Sequence, residues 1–262
     1  MSKRAILVVS FGTTQDDARQ KNIASLEEEI ARAYPEYEVR RAFTSGVVVR
    51  RLQARGLMVD TVEAALGRLR EDAFEEVVLQ PTHIIPGYEY EKLLPQAEDF
   101  SGAFRILRVG KPLLYTAQDF ARVADALLSA YPVQKDEALL LMGHGTSHFA
   151  NCAYPAMDYV LRSGGGKHAF VATVEGYPDF ESVLARIQAE GYHQAALAPM
   201  MLVAGEHAKN DMSGDEPDSW KNICIRHGVQ PRCILSGLGE LPKIRRLYIE
   251  HVRDCINVES AL

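Results

Sequence analysis

A chain of 262 residues, 47% hydrophobic and 24% charged, is long enough to bury one large core or two ordinary ones. Its 29 Lys and Arg against 35 Asp and Glu leave a formal charge of −6, which argues against nucleic-acid binding, because phosphate neutralisation needs a basic face. The longest apolar runs, Ala5–Phe11 and Ala195–Gly205, fall short of the roughly 20 residues that span a bilayer.

The apolar run behind Met1 is also too short for a signal peptide with its cleavage site, so the chain is expected to begin at or near Met1 and to work in the cytoplasm. Arg4–Ser10 reads as a strand buried on both faces. Asp16–Ala33 has helical spacing of apolar residues and ends before Pro35. A strand at Tyr37–Phe43 precedes helical stretches near Gly46–Ala54 and Thr61–Asp72. Next come strand Glu75–Gln80, helix Glu89–Phe100 and strand Phe104–Val109. The rhythm then repeats with strand Ala138–Met142, helix Cys152–Leu161 and strand Ala169–Val174. Helix Phe180–Glu190, strand Gln194–Ala198, helix Ser219–His227, strand Cys233–Leu235 and a helix around Lys243–Asn257 complete the chain. Eight strands alternating with helices predict an α/β fold with parallel sheets built from βαβ units.

An internal repeat divides these elements. Ala5–Thr14 matches Ala138–Ser147 at an offset of 133, and Val77–Glu89 matches Ala195–His207 at an offset of 118. The offset falls by 15, so the second copy lacks one of the two helical stretches near Gly46–Asp72. Two similar domains are expected, each a four-stranded parallel sheet flanked by helices, over residues 1–116 and 117–240. The terminal helix, 241–262, is free to pack back on the first domain. Ligands on such sheets bind beyond the C-terminal strand ends, here in a cleft between the domains. The four cysteines, Cys152, Cys224, Cys233 and Cys255, form no C-x-x-C pair. They read as buried reduced thiols rather than as a disulfide framework or an iron–sulfur cluster.

The strand-end loops carry the reactive side chains. His144 lies between Gly143 and Gly145 directly after a buried strand, with His148 four residues on and a loop rather than a helix between them. A helix starting near Gly205 would set His207 and Asp211 on one face, where the carboxylate could orient the imidazole. In the repeat, Glu89 occupies the place of His207, and either group can bind a divalent metal or accept a proton; for Glu89 a helix-start carboxylate is the rival reading. Glu175 and His83 end strands as well. Ser10, Thr13 and Thr14 form a hydroxyl-rich turn that can hold an anion or simply cap a helix. It matches neither nucleotide-binding fingerprint.

Eight stretches together carry a family resemblance: Leu7–Thr13, Arg41–Gly46, His83–Lys92, Met142–Gly145, Val174–Pro178, Pro199–Met212, Asp218–Lys221 and Leu235–Glu240. Across nearly its whole length the chain resembles the anaerobic cobalt chelatases, the sirohydrochlorin cobaltochelatases of the class II chelatase group. It departs from the typical motif at Pro86-Gly87-Tyr88 and at Thr146, without loss of a candidate ligand. The resemblance implies that His144 and His207 bind metal and handle protons, that Glu175 binds metal and that Glu89 is a further acidic group of the site. It also implies insertion of Co²⁺ into sirohydrochlorin, without ATP, in anaerobic cobalamin biosynthesis. Sirohydrochlorin is a polycarboxylate, and Ser10, Thr13, Ser45, Arg50 and Arg51, with His83, are expected to hold it. Two alternatives stand beside this one: Fe²⁺ insertion for sirohaem, and a tetrapyrrole or metal carrier without turnover. The expected partners are the tetrapyrrole and a divalent metal, with no nucleic acid, no membrane and room for a homo-oligomer.

Overall fold

Strand β1 (Arg4–Ser10) has the sequence RAILVVS and is buried along almost its whole length, because both faces of its sheet are covered. A computed structural model describes the chain over residues 2–257 and divides it into two compact units. One comprises the chain up to Tyr115 together with the C-terminal helix, and the other Thr116–Leu241.

In the first unit, helical segments α1 (Asp16–Ala18) and α2 (Ser25–Ala33) follow β1, with a π-helical stretch, Arg19–Ala24, between them. The single helix expected over Asp16–Ala33 is therefore interrupted. Strand β2 (Glu38–Phe43), helix α3 (Gly46–Ala54), strand β3 (Asp60–Thr61) and helix α4 (Val62–Glu71) come next. Strand β4 (Glu76–Pro81), the short helices α5 (Tyr88–Glu91) and α6 (Leu93–Asp99), and strand β5 (Ile106–Val109) complete this run. The sheet order is β3-β2-β1-β4-β5, and every pairing is parallel. The sheet thus has a fifth strand where four were expected. Strand β3 is two residues long, continues the edge beside Ala42 and Phe43, and is too short to show any periodicity.

The second unit opens on α7 (Ala117–Ala130), which the reading of the sequence passed over. Thr116 accepts a hydrogen bond from the Asp119 amide, and the Asp119 carboxylate accepts one from the Thr116 amide at 2.7 Å, so both ends of a capping box are made. Strand β6 (Glu137–Gly143), helix α8 (Ala153–Ser163), strand β7 (Ala169–Thr173) and helix α9 (Phe180–Ala189) follow. Strand β8 (Gln194–Pro199), helix α10 (Trp220–Arg226) and strand β9 (Gln230–Cys233) close the unit. The sheet is four-stranded and parallel, in the order β7-β6-β8-β9. Strand β9 lies three residues before its expected start at Cys233. It is a half-exposed edge strand containing Pro231, so burial leaves no apolar run to mark it. Glu137 at the start of β6 holds the Arg232 guanidinium through two 3.0 Å bonds, and these bonds keep its carboxyl below the usual range.

The duplication reaches individual hydrogen bonds. The amide of Thr82 donates to Val9 at 2.8 Å, and its counterpart Met200 donates to Met142 at 2.7 Å. Leu113 donates to the His83 carbonyl and Leu238 to the Met201 carbonyl, both at 2.9 Å. The helix and strand missing from the second copy are the α3–β3–α4 excursion reduced to α9 alone. The C-terminal helix α11 (Pro242–Asn257) returns to the first unit, where Tyr248 is fully buried and donates its hydroxyl to the Thr82 carbonyl at 2.8 Å. The end of the expected segment, 258–262, lies outside the described residues.

The described cysteines are free thiols; Cys224 and Cys255 are buried as expected, but Cys152 is exposed and Cys233, on the edge strand β9, is only half-buried. No helix among the described residues is long and apolar enough to cross a membrane.

Candidate metal centre

The second unit brings three potential ligands together from three different strand ends. Strand β6 is wholly buried and stops at Gly143, where the ring of Tyr154 lies so close that a Cβ would meet it at 2.3 Å. The chain then turns through His144 and Gly145, whose φ of +83° is left-handed. The ladder between β6 and β7 continues past its last paired residues: the Val174 amide donates to Gly143 at 3.1 Å and the Glu175 amide to His144 at 2.8 Å. Those two bonds carry Glu175 alongside His144, with the Glu175 carboxylate 4.0 Å from the Nδ1 side of the His144 ring. From β8 the chain passes Gly205 into a helical turn that presents His207, and the His207 ring meets that of His144 edge-on, with centroids 4.7 Å apart.

One ligand atom from each of His144, Glu175 and His207 falls within 4.8 Å of the other two. Ligands at about 2.1 Å from a tetrahedral ion stand roughly 3.4 Å apart, so a small rotation of these partly exposed side chains closes the set. The hydrogen bonds of the rings favour that use. The Nδ1–H of His144 donates to the Gly145 carbonyl at 2.9 Å, and the Nδ1–H of His207 donates to the Asp211 carboxylate at 2.5 Å. A carbonyl or a carboxylate can only accept, so each ring keeps its proton on Nδ1 and offers the Nε2 lone pair. Two neutral imidazoles and one carboxylate make an open set of three for a divalent first-row ion.

The pairing of His144 with His148 that the spacing allowed is not formed. His148 Nδ1 instead accepts the Ala150 amide at 3.0 Å and caps the turn Phe149–Cys152. Two residues around the site escaped sequence reasoning. Tyr154 is hydrogen-bonded to the backbone of His144 and Gly145, and burial pushes its phenol pKa up while those bonds oppose the rise. Asn151 spans the two ligand-bearing loops. Neither lies in a motif; each acts through the backbone, which leaves no pattern in side-chain order.

The remaining expected site residues belong to the first unit. Ser10 is fully buried and its hydroxyl accepts a 2.8 Å hydrogen bond from Thr82, so it holds β1 to β4 and is closed to a ligand. Thr13 is nearly buried and accepts from the Gln15 amide. Ser45 caps α3 through the Val48 amide. Arg50 and Arg51 lie exposed on α3. Both ring nitrogens of His83 are shielded from solvent and have no hydrogen-bond partner. Burial holds its pKa down at about 4, against a weaker opposing pull from Glu89. One Glu89 oxygen binds Lys92 at 2.5 Å and the other, also shielded, has no partner.

A model of the cobalt chelatase (CbiK) family matches residues 4–257. The chain is 38% identical to a sirohydrochlorin cobaltochelatase of Salmonella typhimurium over 258 residues, 98% of this chain and 97% of that one. It is 32% identical to the sirohydrochlorin cobaltochelatase CbiKC of Nitratidesulfovibrio vulgaris, over 98% of this chain and 92% of the relative. Among solved structures, SirB from Bacillus subtilis with Fe³⁺ superposes with a TM-score of 0.66 over 97% of this chain and 96% of its own, at 16% identity. That likeness establishes the same fold.

Proposed function

Because the chain belongs to the CbiK cobalt chelatase family over nearly its whole length, we propose that it is a lyase-type metal chelatase that inserts Co²⁺ into sirohydrochlorin for cobalamin biosynthesis. The observation that carries the reading is the gathering of His144, Glu175 and His207 within reach of one ion.

Insertion makes three physical demands. The ion must shed water, two pyrrole N–H protons must leave, and the ring must expose its nitrogen lone pairs. Neutral imidazoles are borderline ligands that suit Co²⁺. Three protein ligands grip the ion while leaving positions open for the macrocycle nitrogens, whereas a closed set of four would trap it. As the nitrogens take over the ion, an imidazole is released with its lone pair beside the departing pyrrole protons. An imidazole nitrogen with a free lone pair is the side-chain group suited to accept one. His144 and His207 fill these two roles, and Asp211 stabilises the positive charge on His207 when it holds the proton. Glu89 is assigned as the further acidic group, through the oxygen that Lys92 holds, since its other oxygen is shielded. Ser45 remains the first-unit group assigned to the substrate, whereas Thr13 is buried and both ring nitrogens of His83 are enclosed. Ser10 is set aside by its burial.

Ligand type separates Co²⁺ from Fe²⁺ poorly, so the metal assignment rests on the names of the two relatives. The test mixes the protein anaerobically with excess sirohydrochlorin and either ion and follows the visible bands of the macrocycle. Many turnovers, faster with Co²⁺, support the reading. A single equivalent of product identifies a carrier, and a faster rate with Fe²⁺ identifies a ferrochelatase. The His207→Ala protein is expected to bind sirohydrochlorin and to lose insertion by at least a hundredfold. An undiminished rate removes the proposed role.

A further inference from the structure

Two of the three ligands sit on loops that are not continuous in sequence, and one side chain spans both loops. Asn151 lies in the turn Phe149–Cys152, after the His144 loop. Its Oδ1 accepts the backbone N–H of Thr146, two residues beyond His144, at 3.1 Å. Its Nδ2 donates to the backbone carbonyl of Tyr177, two residues beyond Glu175, at 2.6 Å. The two ends of the amide are therefore used in opposite senses, one toward each loop. The loops touch closely at this point. A Cβ on Gly176 would lie 2.5 Å from Asn151 Oδ1, and one on Gly145 would lie 2.7 Å from the Glu175 carbonyl carbon and the Gly176 nitrogen.

Resting on the reading that His144, Glu175 and His207 hold the metal substrate, we propose that Asn151 is a positioning residue for that metal. It sets the separation of His144 from Glu175 by clamping the backbones behind them. Only a side chain with an acceptor and a donor on one short planar group satisfies both partners. Aspartate keeps the shape and the bond from Thr146, but it sets an oxygen against the Tyr177 carbonyl and drives the Glu175 loop away. Alanine releases both loops. Loss of groups that orient metal ligands lowers metal affinity by about 10- to 100-fold.

The experiment titrates the full chain, without tetrapyrrole, with Co²⁺ under anaerobic conditions. It follows the ligand-field bands and heat of binding for the wild type, Asn151→Ala, Asn151→Asp and a His144→Ala control. The expected result is Co²⁺ binding weakened at least about tenfold in both Asn151 variants, with altered ligand-field bands and an unfolding temperature close to wild type. In turnover, KM for Co²⁺ rises in parallel while KM for the tetrapyrrole stays put. Should Asn151→Ala fold poorly, the isosteric Asn151→Asp protein decides. With Co²⁺ binding abolished in the His144→Ala control, wild-type affinity in both Asn151 variants overturns the clamp alone. A His144→Ala protein that binds Co²⁺ like the wild type overturns the metal triad itself.

Discussion

His83 stands apart among the histidines because its ring is enclosed without a partner for either nitrogen. A buried imidazolium would need a compensating acceptor, so the ring stays neutral in the folded protein down to about pH 4. The unfolded chain protonates it near its ordinary value of about 6.5. Below that pH the unfolded state binds a proton that the folded state refuses, so stability falls as pH drops from about 6.5 to about 4. The fall is on the order of 3 kcal/mol across that window. Above 6.5 both states are neutral and the group contributes no slope. Replacement by glutamine, which cannot titrate, is expected to flatten this part of the profile, measured as the urea midpoint at pH 7.5 and 5. Equal slopes in the two proteins would show that His83 is not held neutral. The contrast with His144 and His207 is instructive, because each of those rings has its Nδ1–H engaged and is partly open to solvent. The enclosed histidine is arranged for neutrality; the other two are arranged to present a lone pair.

At the level of elements, the site is a product of strand ends. Gly145 permits the turn after β6 through its positive φ, and the backbone of Glu175 and Gly176 fills the space where a side chain would start. Gly145→Ala therefore adds a collision with fixed backbone to the left-handed strain, and a loss of about 1–3 kcal/mol in urea unfolding is expected. Co²⁺ binding weakens with it, because the displaced backbone carries Glu175. Gly165, at the end of α8, supplies the control: its φ is +100°, yet nothing lies within 4 Å of a Cβ there. Gly165→Ala should show the backbone strain without any change in Co²⁺ affinity, and matched Co²⁺ affinities in the two variants would refute the argument from loop contact. The same strand ends explain what was legible in advance. His144, Glu175 and His207 each follow a strand with a continuous apolar run, so the pattern located them, and the repeat aligned His207 with Glu89. The sequence order held no trace of Asn151 or Tyr154, because their partners are backbone atoms of other loops. Helix α7 had a readable start in Thr116 and Asp119 that went unused, whereas β3 and β9 lack the burial that marks a strand.

At the scale of the whole chain, the first unit is completed only when the last helix has been made. Helix α11 buries Ile244, Leu247, Tyr248 and Val252 almost completely, and Cys255 nearly so. Polar ties fix its register: Tyr248 to the Thr82 carbonyl at 2.8 Å, the Tyr34 hydroxyl to the Ile249 carbonyl at 2.8 Å, and Arg245 to Glu29 at 2.7 Å. A fully buried large apolar side chain contributes about 1.5–3 kcal/mol, so four of them are worth on the order of 10 kcal/mol. That is comparable to the whole stability of an ordinary domain, about 5–15 kcal/mol. The second unit takes no strand or helix from beyond Leu241 and contains all three ligands of the candidate metal centre. A chain ending at Leu241 should therefore lose amide protection throughout its first 115 residues, while residues 116–241 keep theirs, as read by hydrogen exchange. If the first unit stays protected without α11, the returning helix is an accessory rather than part of its core. If both units lose protection together, folding of the second depends on the first, and the metal triad cannot form before the chain is complete. The expected outcome gives an order of events: His144, Glu175 and His207 can assemble as soon as Leu241 has emerged, and the first unit's core closes last.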